Sequence, residues 1–147
     1  NKESQFYFND IFGLEIDLEN FSHFYKDNYT ERFYKNIEAT GKKEQSVVLK
    51  GYSNSVVPSL YNDHKNTFDL IIIDASHKTM DALTDMCNSF FLLKVGGYLL
   101  IDDYGLDKGG ELVALAADSF ISSFNHVHQR LRVIKKGWQC YLQKISN

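Results

Sequence analysis

Residues 67–77 read Thr-Phe-Asp-Leu-Ile-Ile-Ile-Asp-Ala-Ser-His, and this stretch decides the fold. Leu70–Ile73 is a short, unbroken apolar run rich in β-branched residues, which is typical of a strand that a parallel sheet buries on both faces. The run ends at Asp74, and His77 follows three residues later. Because open α/β sheets bind ligands at the carboxyl ends of their strands, this ending predicts a functional site. Taken alone, Asp-x-x-His is more often a turn cap before a solvated helix.

A second apolar run with its own acidic end favours the functional interpretation. Tyr98–Ile101 is followed directly by Asp102 and Asp103, and then by Tyr104. If both runs are parallel strands, their carboxyl ends meet at the same edge of the sheet. The acidic residues of the two strands are therefore expected to converge on one crevice.

Composition limits the class of protein. The chain has 147 residues, of which 44% are hydrophobic and 24% charged, as in an ordinary globular domain. The net charge of −3 does not indicate the excess of positive charge that is typical of nucleic-acid-binding domains. No apolar run approaches the roughly 20 residues of a membrane span, and no signal peptide is recognised. Cys87 and Cys140 match no metal or redox spacing, so reduced thiols in a cytoplasmic protein are predicted.

Apolar periodicity predicts strands that alternate with helices. Strands are predicted at residues 11–16, 47–50, 70–73 and 98–101, before a closing hairpin of residues 130–135 and 138–144. Helices are predicted within residues 21–38, 58–64, 79–91 and 112–124. This order predicts an α/β fold with a mostly parallel sheet, helices on both faces and an antiparallel hairpin at the edge. Residues 1–10 show no usable period.

Some residues are expected at the ends of these helices, and others are expected in the core. Pro58 is expected in the first turn of its helix, and Thr79 is expected as an N-cap. Gly96-Gly97 is expected to end the helix that Thr79 begins. Aromatic residues of the first helix, together with Phe120 and Trp138, are expected in the core. The four histidines other than His77 are expected to be surface or packing residues: His23, His64, His126 and His128.

Polar groups lie at or just after the end of each of the four predicted parallel strands: Glu15 and Asp17, Ser53 and Asn54, Asp74 with His77, and Asp102 with Asp103. An acidic residue after an early strand is where nucleotide-binding sheets accept ribose hydroxyls. Carboxylates are hard oxygen donors that suit Mg²⁺, Mn²⁺ or Ca²⁺, although an acidic pair before a glycine is also typical of a solvated turn. An imidazole has the pKa to accept a proton near neutral pH, so His77 is a candidate general base.

Five motifs together resemble the class I S-adenosylmethionine-dependent methyltransferases. They are Gly13–Asp17, Lys50–Asn54, Asp74–His77, the Leu-Leu-Lys-Val-Gly-Gly of residues 92–97, and the acidic pair Asp102-Asp103. The likeness is strongest to the metal-dependent O-methyltransferases of the macrocin and mycinamicin sugar type and of the catechol type. Val95 departs from the Leu-Leu-Lys-Pro-Gly-Gly turn of these families.

The resemblance implies roles for the matching residues. The implied metal ligands are Asp74, Asp102 and Asp103, and the implied cation is Mg²⁺ or Mn²⁺. The implied base is His77. The resemblance also implies that residues at the strand ends contact S-adenosylmethionine, and that Glu15 binds its ribose. These residues are Glu15, Asp17, Ser53, Asn54 and Asp74. The implied reaction is methyl transfer to a hydroxyl of a sugar or another small molecule, with no nucleic-acid or membrane partner.

The family's first strand and its Gly-rich loop have no counterpart in this sequence. They should precede Ile11, but only ten residues are found there and none is glycine. The chain is therefore expected to be a single, N-terminally truncated methyltransferase domain, with a Rossmann-like sheet that lacks its usual first strand. Two alternatives stay open: a nucleotide-binding oxidoreductase of the NAD type, and a non-catalytic fragment of the same fold. The acceptor is not identified, and a homo-oligomer is neither required nor excluded.

Overall fold

The computed structural model describes residues 4–10, 29–108 and 111–147. The predicted strand at residues 11–16 and the first part of the predicted helix lie outside these ranges. The chain divides into two compact units, residues 1–56 and residues 57–147, and each is described by itself. No helix in the described ranges combines the length and apolar character that crossing a bilayer requires.

The first unit is built on a pair of parallel strands. Strand β1 (Phe6–Asp10) pairs with β2 (Ser46–Lys50), so that Asp10 lies opposite Lys50. Helix α1 (Tyr29–Ala39) packs its Phe33 ring edge-on against Phe8 of β1, with ring centroids 5.4 Å apart. A 3₁₀ turn, Lys43–Gln45, leads into β2. Strand β2 was expected; β1 was not, although its three successive aromatic residues favour a strand.

The second unit contains a four-stranded sheet and two long helices. Helix α2 (Ser53–Ser59) spans the boundary between the units and is followed by α3 (Tyr61–His64). The remaining elements are β3 (Phe68–Ile73), α4 (Thr79–Leu92), β4 (Leu93–Ile101), β5 (Asp107–Lys108), β6 (Glu111–Leu112), α5 (Val113–Asn125), β7 (Leu131–Lys136) and β8 (Cys140–Lys144). The sheet order is β3-β4-β8-β7, in which β3–β4 is parallel and β7–β8 is the antiparallel hairpin. The α/β class and the closing hairpin are therefore confirmed.

Strand β3 is not buried on both faces, contrary to the sequence-based expectation. Ile71 and Ile73 contact the core, whereas Leu70 and Ile72 are 52% and 59% exposed. Successive strand side chains point to opposite faces, and both long helices of this unit pack against the face that carries Ile71. An unbroken apolar run does not distinguish one covered face from two, because both arrangements tolerate β-branched residues.

An aromatic cluster holds α4 and α5 together over the sheet. The ring of Phe124 lies 4.5 Å from that of Phe90 and 4.6 Å from that of Phe120, measured between centroids. Phe120 is fully buried, as expected. Trp138 is 61% exposed, so its assignment to the core was wrong. The tryptophan lies in the short turn between β7 and β8, and such turns run over the surface.

Three predicted element ends differ in the structure. Thr79 is the first residue of α4 rather than its cap, and its hydroxyl bonds the backbone of Leu112 instead. Gly96 and Gly97 lie within β4, where Leu93 pairs with Phe68 but Tyr98 pairs with Leu70, so the glycines form a bulge. Pro58 lies near the end of α2 rather than in a first turn. For Thr79 and for the two glycines, a contact with a distant part of the chain replaces the local role that the sequence predicts.

Candidate functional site

The parallel register of β3 and β4 brings two acidic segments to one edge of the sheet. Ile73 pairs with Ile101, so Asp74 and Asp102 leave the two strands side by side. The backbone N–H of Asp102 donates to the carbonyl of Ile73 at 2.9 Å, which extends the ladder into the loops. The predicted convergence of these strand ends is thus found in the structure.

Asp74, His77 and Asp103 form a compact cluster at this edge. One ligand atom from each residue lies within 4.8 Å of the others. Nε2 of His77 is 2.6 Å from Oδ2 of Asp103, and both side chains are partly buried. Two carboxylates and an imidazole at this spacing could hold a divalent cation, and Asp102 lines the same small cavity.

The backbone of Asp103 has an unusual conformation. Its φ is +52°, in the left-handed region that few non-glycine residues adopt, although aspartate is among those that tolerate it. The N–H of Asp103 donates to Oδ1 of Asp102 at 3.0 Å, which stabilises the turn locally. This turn separates the directions of two consecutive carboxylates, so Asp103 reaches His77 while Asp102 does not join the three-residue cluster.

Asp102 is held by a hydrogen-bond chain that the sequence did not predict. Nε2 of Gln139 donates to Oδ1 of Asp102 at 2.9 Å, and the hydroxyl of Tyr141 donates to Oε1 of Gln139 at 2.5 Å. Gln139 directly precedes β8, which lies beside β4. One oxygen of Asp102 is therefore engaged by protein donors.

Burial and like charges act together on Asp74. The pKa of its carboxyl is raised, first by burial and then by repulsion from Asp102 and Asp103, while His77 acts in the opposite direction. Repulsion among carboxylates destabilises their charged forms, so a bound cation would stabilise this arrangement. The electrostatics of the cluster thus fit a cation site.

A second network anchors the loop that follows the cluster. The hydroxyl of Tyr104 donates to Oδ1 of Asp118 at 3.1 Å, and Nζ of Lys136 donates to the same oxygen at 2.6 Å. The hydrogen bond with Asp118 raises the pKa of Lys136, and burial raises the pKa of Tyr104. Residues from α5 and β7 therefore fix the position of the residue next to Asp103.

The predicted cofactor residues of the first unit are only partly described. Glu15 and Asp17 lie outside the described residues, and Ser53 and Asn54 are the first two residues of α2. Gly51 precedes them with φ +149°, and a Cβ there would lie 2.8 Å from the side chain of Val56, so only glycine fits.

Strand β1 adds a candidate residue that the sequence did not predict. Asp10 ends this strand, and its carbonyl accepts a hydrogen bond from Gly51 N–H at 3.0 Å. The amide of Asn9 donates to the carbonyls of Leu49 and Gly51, at 2.9 and 3.0 Å, across the same strand end. A carboxylate and the loop after β2 are thus neighbours within the first unit. The missed signal was the aromatic strand that precedes Asp10.

Comparison with known proteins gives one family match. A family model described as a methyltransferase domain matches residues 5–104 of the 147. A search of curated proteins finds no significant match.

Several solved structures share the fold. The O-methyltransferase NovP superposes with a TM-score of 0.66 at 17% identity, covering 97% of this chain and 60% of NovP. Cofactor-bound Rv0187 from MTB gives a TM-score of 0.59 at 19% identity, covering 84% and 60% of the two chains. MycE methyltransferase in complex with Mg and SAH gives a TM-score of 0.55 at 15% identity. The match covers 69% of this chain and 33% of MycE. The chain thus spans 60% of the length of the first two.

Proposed function

The chain belongs to the methyltransferase-domain family, and on that premise we propose that it forms part of an S-adenosylmethionine-dependent, divalent-metal-assisted O-methyltransferase. The acceptor would be a hydroxyl of a sugar or another small molecule. The observation that carries the proposal is the cluster of Asp74, His77 and Asp103 at the ends of two parallel strands. The likeness to NovP, described as an O-methyltransferase, and to MycE, described with Mg and SAH, supports it.

The cation would be held by carboxylates of the cluster. Asp74 and Asp103 offer oxygens within the cluster, and Asp102, which lines the same cavity, would be a third ligand. An oxygen-rich donor set favours Mg²⁺ or Mn²⁺ over softer metals. Bound there, the cation would act as a Lewis acid that lowers the pKa of an acceptor hydroxyl.

His77 is the residue best placed to take the proton of the acceptor. Its Nε2 contacts Oδ2 of Asp103, and a carboxylate beside an imidazole orients the ring. The chain's other contribution would be alignment of the acceptor oxygen with the methyl group, because correct placement lowers the barrier of a two-substrate reaction.

Cofactor contacts are proposed for residues that follow the parallel strands of each unit. In the second unit the described candidate is Asp74, and in the first unit the described candidates are Ser53 and Asn54, the first residues of α2. Asp10 is a further candidate for the ribose hydroxyls, because it stands at the carboxyl end of a parallel strand. Glu15 and Asp17 remain candidates from the sequence alone.

The two alternatives have less support. A methyltransferase-domain match favours methyl transfer over the hydride transfer of an NAD oxidoreductase. A non-catalytic role gives no reason for three mutually repelling carboxylates at the ends of two parallel strands. Cytoplasmic location stays a prediction from the sequence.

Calorimetric titration of the 147-residue chain with S-adenosylmethionine, with and without Mg²⁺, tests the proposal. We expect cofactor binding, and separate Mn²⁺ binding that Asp74→Asn weakens. Asp63→Asn, which removes an exposed carboxylate of α3, is the matched control and should bind both like the parent chain. A folded chain that binds neither S-adenosylmethionine nor Mn²⁺ would contradict the proposal.

A further inference from the structure

A second cleft lies at the other end of the four-stranded sheet. The β4–β8 register places Cys140 beside Ile101, near the acidic cluster, and Gln143 beside Tyr98, so Lys144 lies towards the opposite edge. The cleft has a volume of about 350 Å³ and is cationic and aromatic; its lining includes Tyr61, Lys65, Asn66, Phe91, Arg130 and Lys144. We call it the cationic cleft. All of its residues belong to the second unit.

Lys144 brings a buried positive charge to this cleft. The residue is 1% exposed, and its Nζ donates to Oδ1 of Asn66 at 2.7 Å and to the carbonyls of Phe90 and Leu93 at 2.9 and 2.8 Å. These acceptors are neutral, so they satisfy the donors without cancelling the charge. Burial, with repulsion from Lys65 and Arg130, lowers the pKa of Lys144 to about 8.

Arg130 carries a buried donor without an acceptor. Its Nε is inaccessible to solvent and has no hydrogen-bond partner among the described residues. The backbone around it is fixed, because Oδ1 of Asn125 accepts from the N–H groups of Arg130 and Leu131, each at 2.9 Å. Leaving a buried donor without an acceptor is energetically unfavourable.

The charge of the cleft is uncompensated in the described part of the chain. Lys65, Arg130 and Lys144 each lack a carboxylate partner there, whereas other lysines in the same ranges form ion pairs. Three cations around one cavity repel one another. A bound anion would remove that repulsion.

An aromatic wall completes the cleft. The rings of Tyr61 and Phe91 meet edge to face with centroids 5.9 Å apart, and the two residues are 37% and 44% exposed. Nζ of Lys65 lies 5.3 Å from the Tyr61 ring centroid, which keeps a cation beside the apolar surface. A wall of this kind suits a planar apolar group on the same ligand.

We propose that the cationic cleft binds a small organic anion in which a phosphate or carboxylate group is joined to a planar apolar ring. Arg130 and Lys65 donate to the anionic group, and Tyr61 and Phe91 contact the ring. Lys144 contributes charge at short range, since its own hydrogen bonds are already made. The site is separate from the acidic cluster and does not depend on the proposed methyl transfer.

Calorimetric titration of the whole chain with phenyl phosphate, benzoate and inorganic phosphate tests this proposal. We expect phenyl phosphate or benzoate to bind with a Kd near or below about 1 mM, and inorganic phosphate more weakly because it lacks the ring. The stronger of the two aromatic anions identifies the anionic group. Equal binding of all three, or no binding by a folded chain, would overturn the proposal.

Charge-matched variants locate the site. Arg130→Gln and Lys65→Gln should each weaken binding by about tenfold or more, because each removes a charge-assisted hydrogen bond. Arg132→Gln and Lys135→Gln remove the same charges from exposed positions of β7 and should leave the Kd unchanged. Lys65 is exposed, so its variant tests the site even if Arg130→Gln fails to fold. Equal weakening by the control variants would show unspecific charge attraction and overturn the proposal.

Discussion

The acidic cluster and the cationic cleft lie towards opposite ends of the same four-stranded sheet, and they are assembled in different ways. The cluster forms where two parallel strands end, from Asp74, His77 and Asp103. The cleft forms where the antiparallel strand β8 passes the end of α4, and it gathers Lys65, Arg130 and Lys144 from distant parts of the chain. Both gather several charges of one sign around a cavity, carboxylates in the cluster and cations in the cleft. Each is therefore suited to a ligand of opposite charge.

The largest expected effect comes from removing the base of the cluster. His77→Ala should lower the rate of methyl transfer by about 10²- to 10⁴-fold, because general base catalysis contributes that much. The measurement is transfer of labelled methyl from S-adenosylmethionine to a panel of hydroxyl acceptors, with His128→Ala, an exposed histidine, as control. Full activity of His77→Ala would remove His77 from the mechanism.

Metal affinity separates the cluster from the cleft. Asp103→Asn should weaken Mn²⁺ binding by about 100-fold, more than the loss of a residue that only orients a ligand. The same variant should leave phenyl phosphate binding in the cationic cleft unchanged. Both quantities are read by calorimetric titration, and an unchanged Mn²⁺ affinity would show that the cation, if any, is held elsewhere.

A smaller effect is expected from Gln139, which holds Asp102 without joining the cluster. Gln139→Leu should weaken Mn²⁺ binding by about tenfold, because residues that orient metal ligands contribute at this level. The conservative variant Gln139→Glu places a further carboxylate beside Asp102 and should not restore the parent affinity. If Gln139→Leu binds Mn²⁺ as tightly as the parent chain does, the hydrogen bond to Asp102 has no role in metal binding.

The smallest effect concerns the pH dependence of stability. The pKa of Lys144 is about 8 in the folded chain, below its ordinary value, so the unfolded chain binds more protons between the two values. Stability relative to Lys144→Met should therefore rise with pH above about 8, by about 1 kcal/mol over the next pH unit. Urea unfolding at several pH values measures the difference. A flat difference would mean that the charge of Lys144 is not destabilised by burial.

The acidic cluster could be predicted from the sequence because its positions follow from short-range signals. Asp74 and His77 directly follow one apolar run, Asp102 and Asp103 follow another, and parallel pairing brings such ends together. The sequence did not indicate that the left-handed turn at Asp103 would point consecutive carboxylates in different directions.

Other features depend on contacts that no local pattern encodes. Gln139 meets Asp102 because β8 pairs with β4, and that register is set by the whole sheet. Leu70 and Ile72 are exposed because both long helices of the second unit pack on the opposite face. The cationic cleft joins Asn66 to Lys144 across most of the second unit, so its residues look like ordinary surface charges in the sequence.

The side chain of Asn125 has a consequence for how a ligand would enter the cationic cleft. Its amide accepts from two successive backbone N–H groups and donates to the carbonyl of Leu131 at 2.9 Å, so the chain is held in place beside Arg130. Ordering a flexible segment on binding consumes part of the binding free energy. Here the segment is already ordered, so the entropic penalty of binding is confined to the ligand and a few side chains. Fast association with little rearrangement of the backbone is the expected kinetic result.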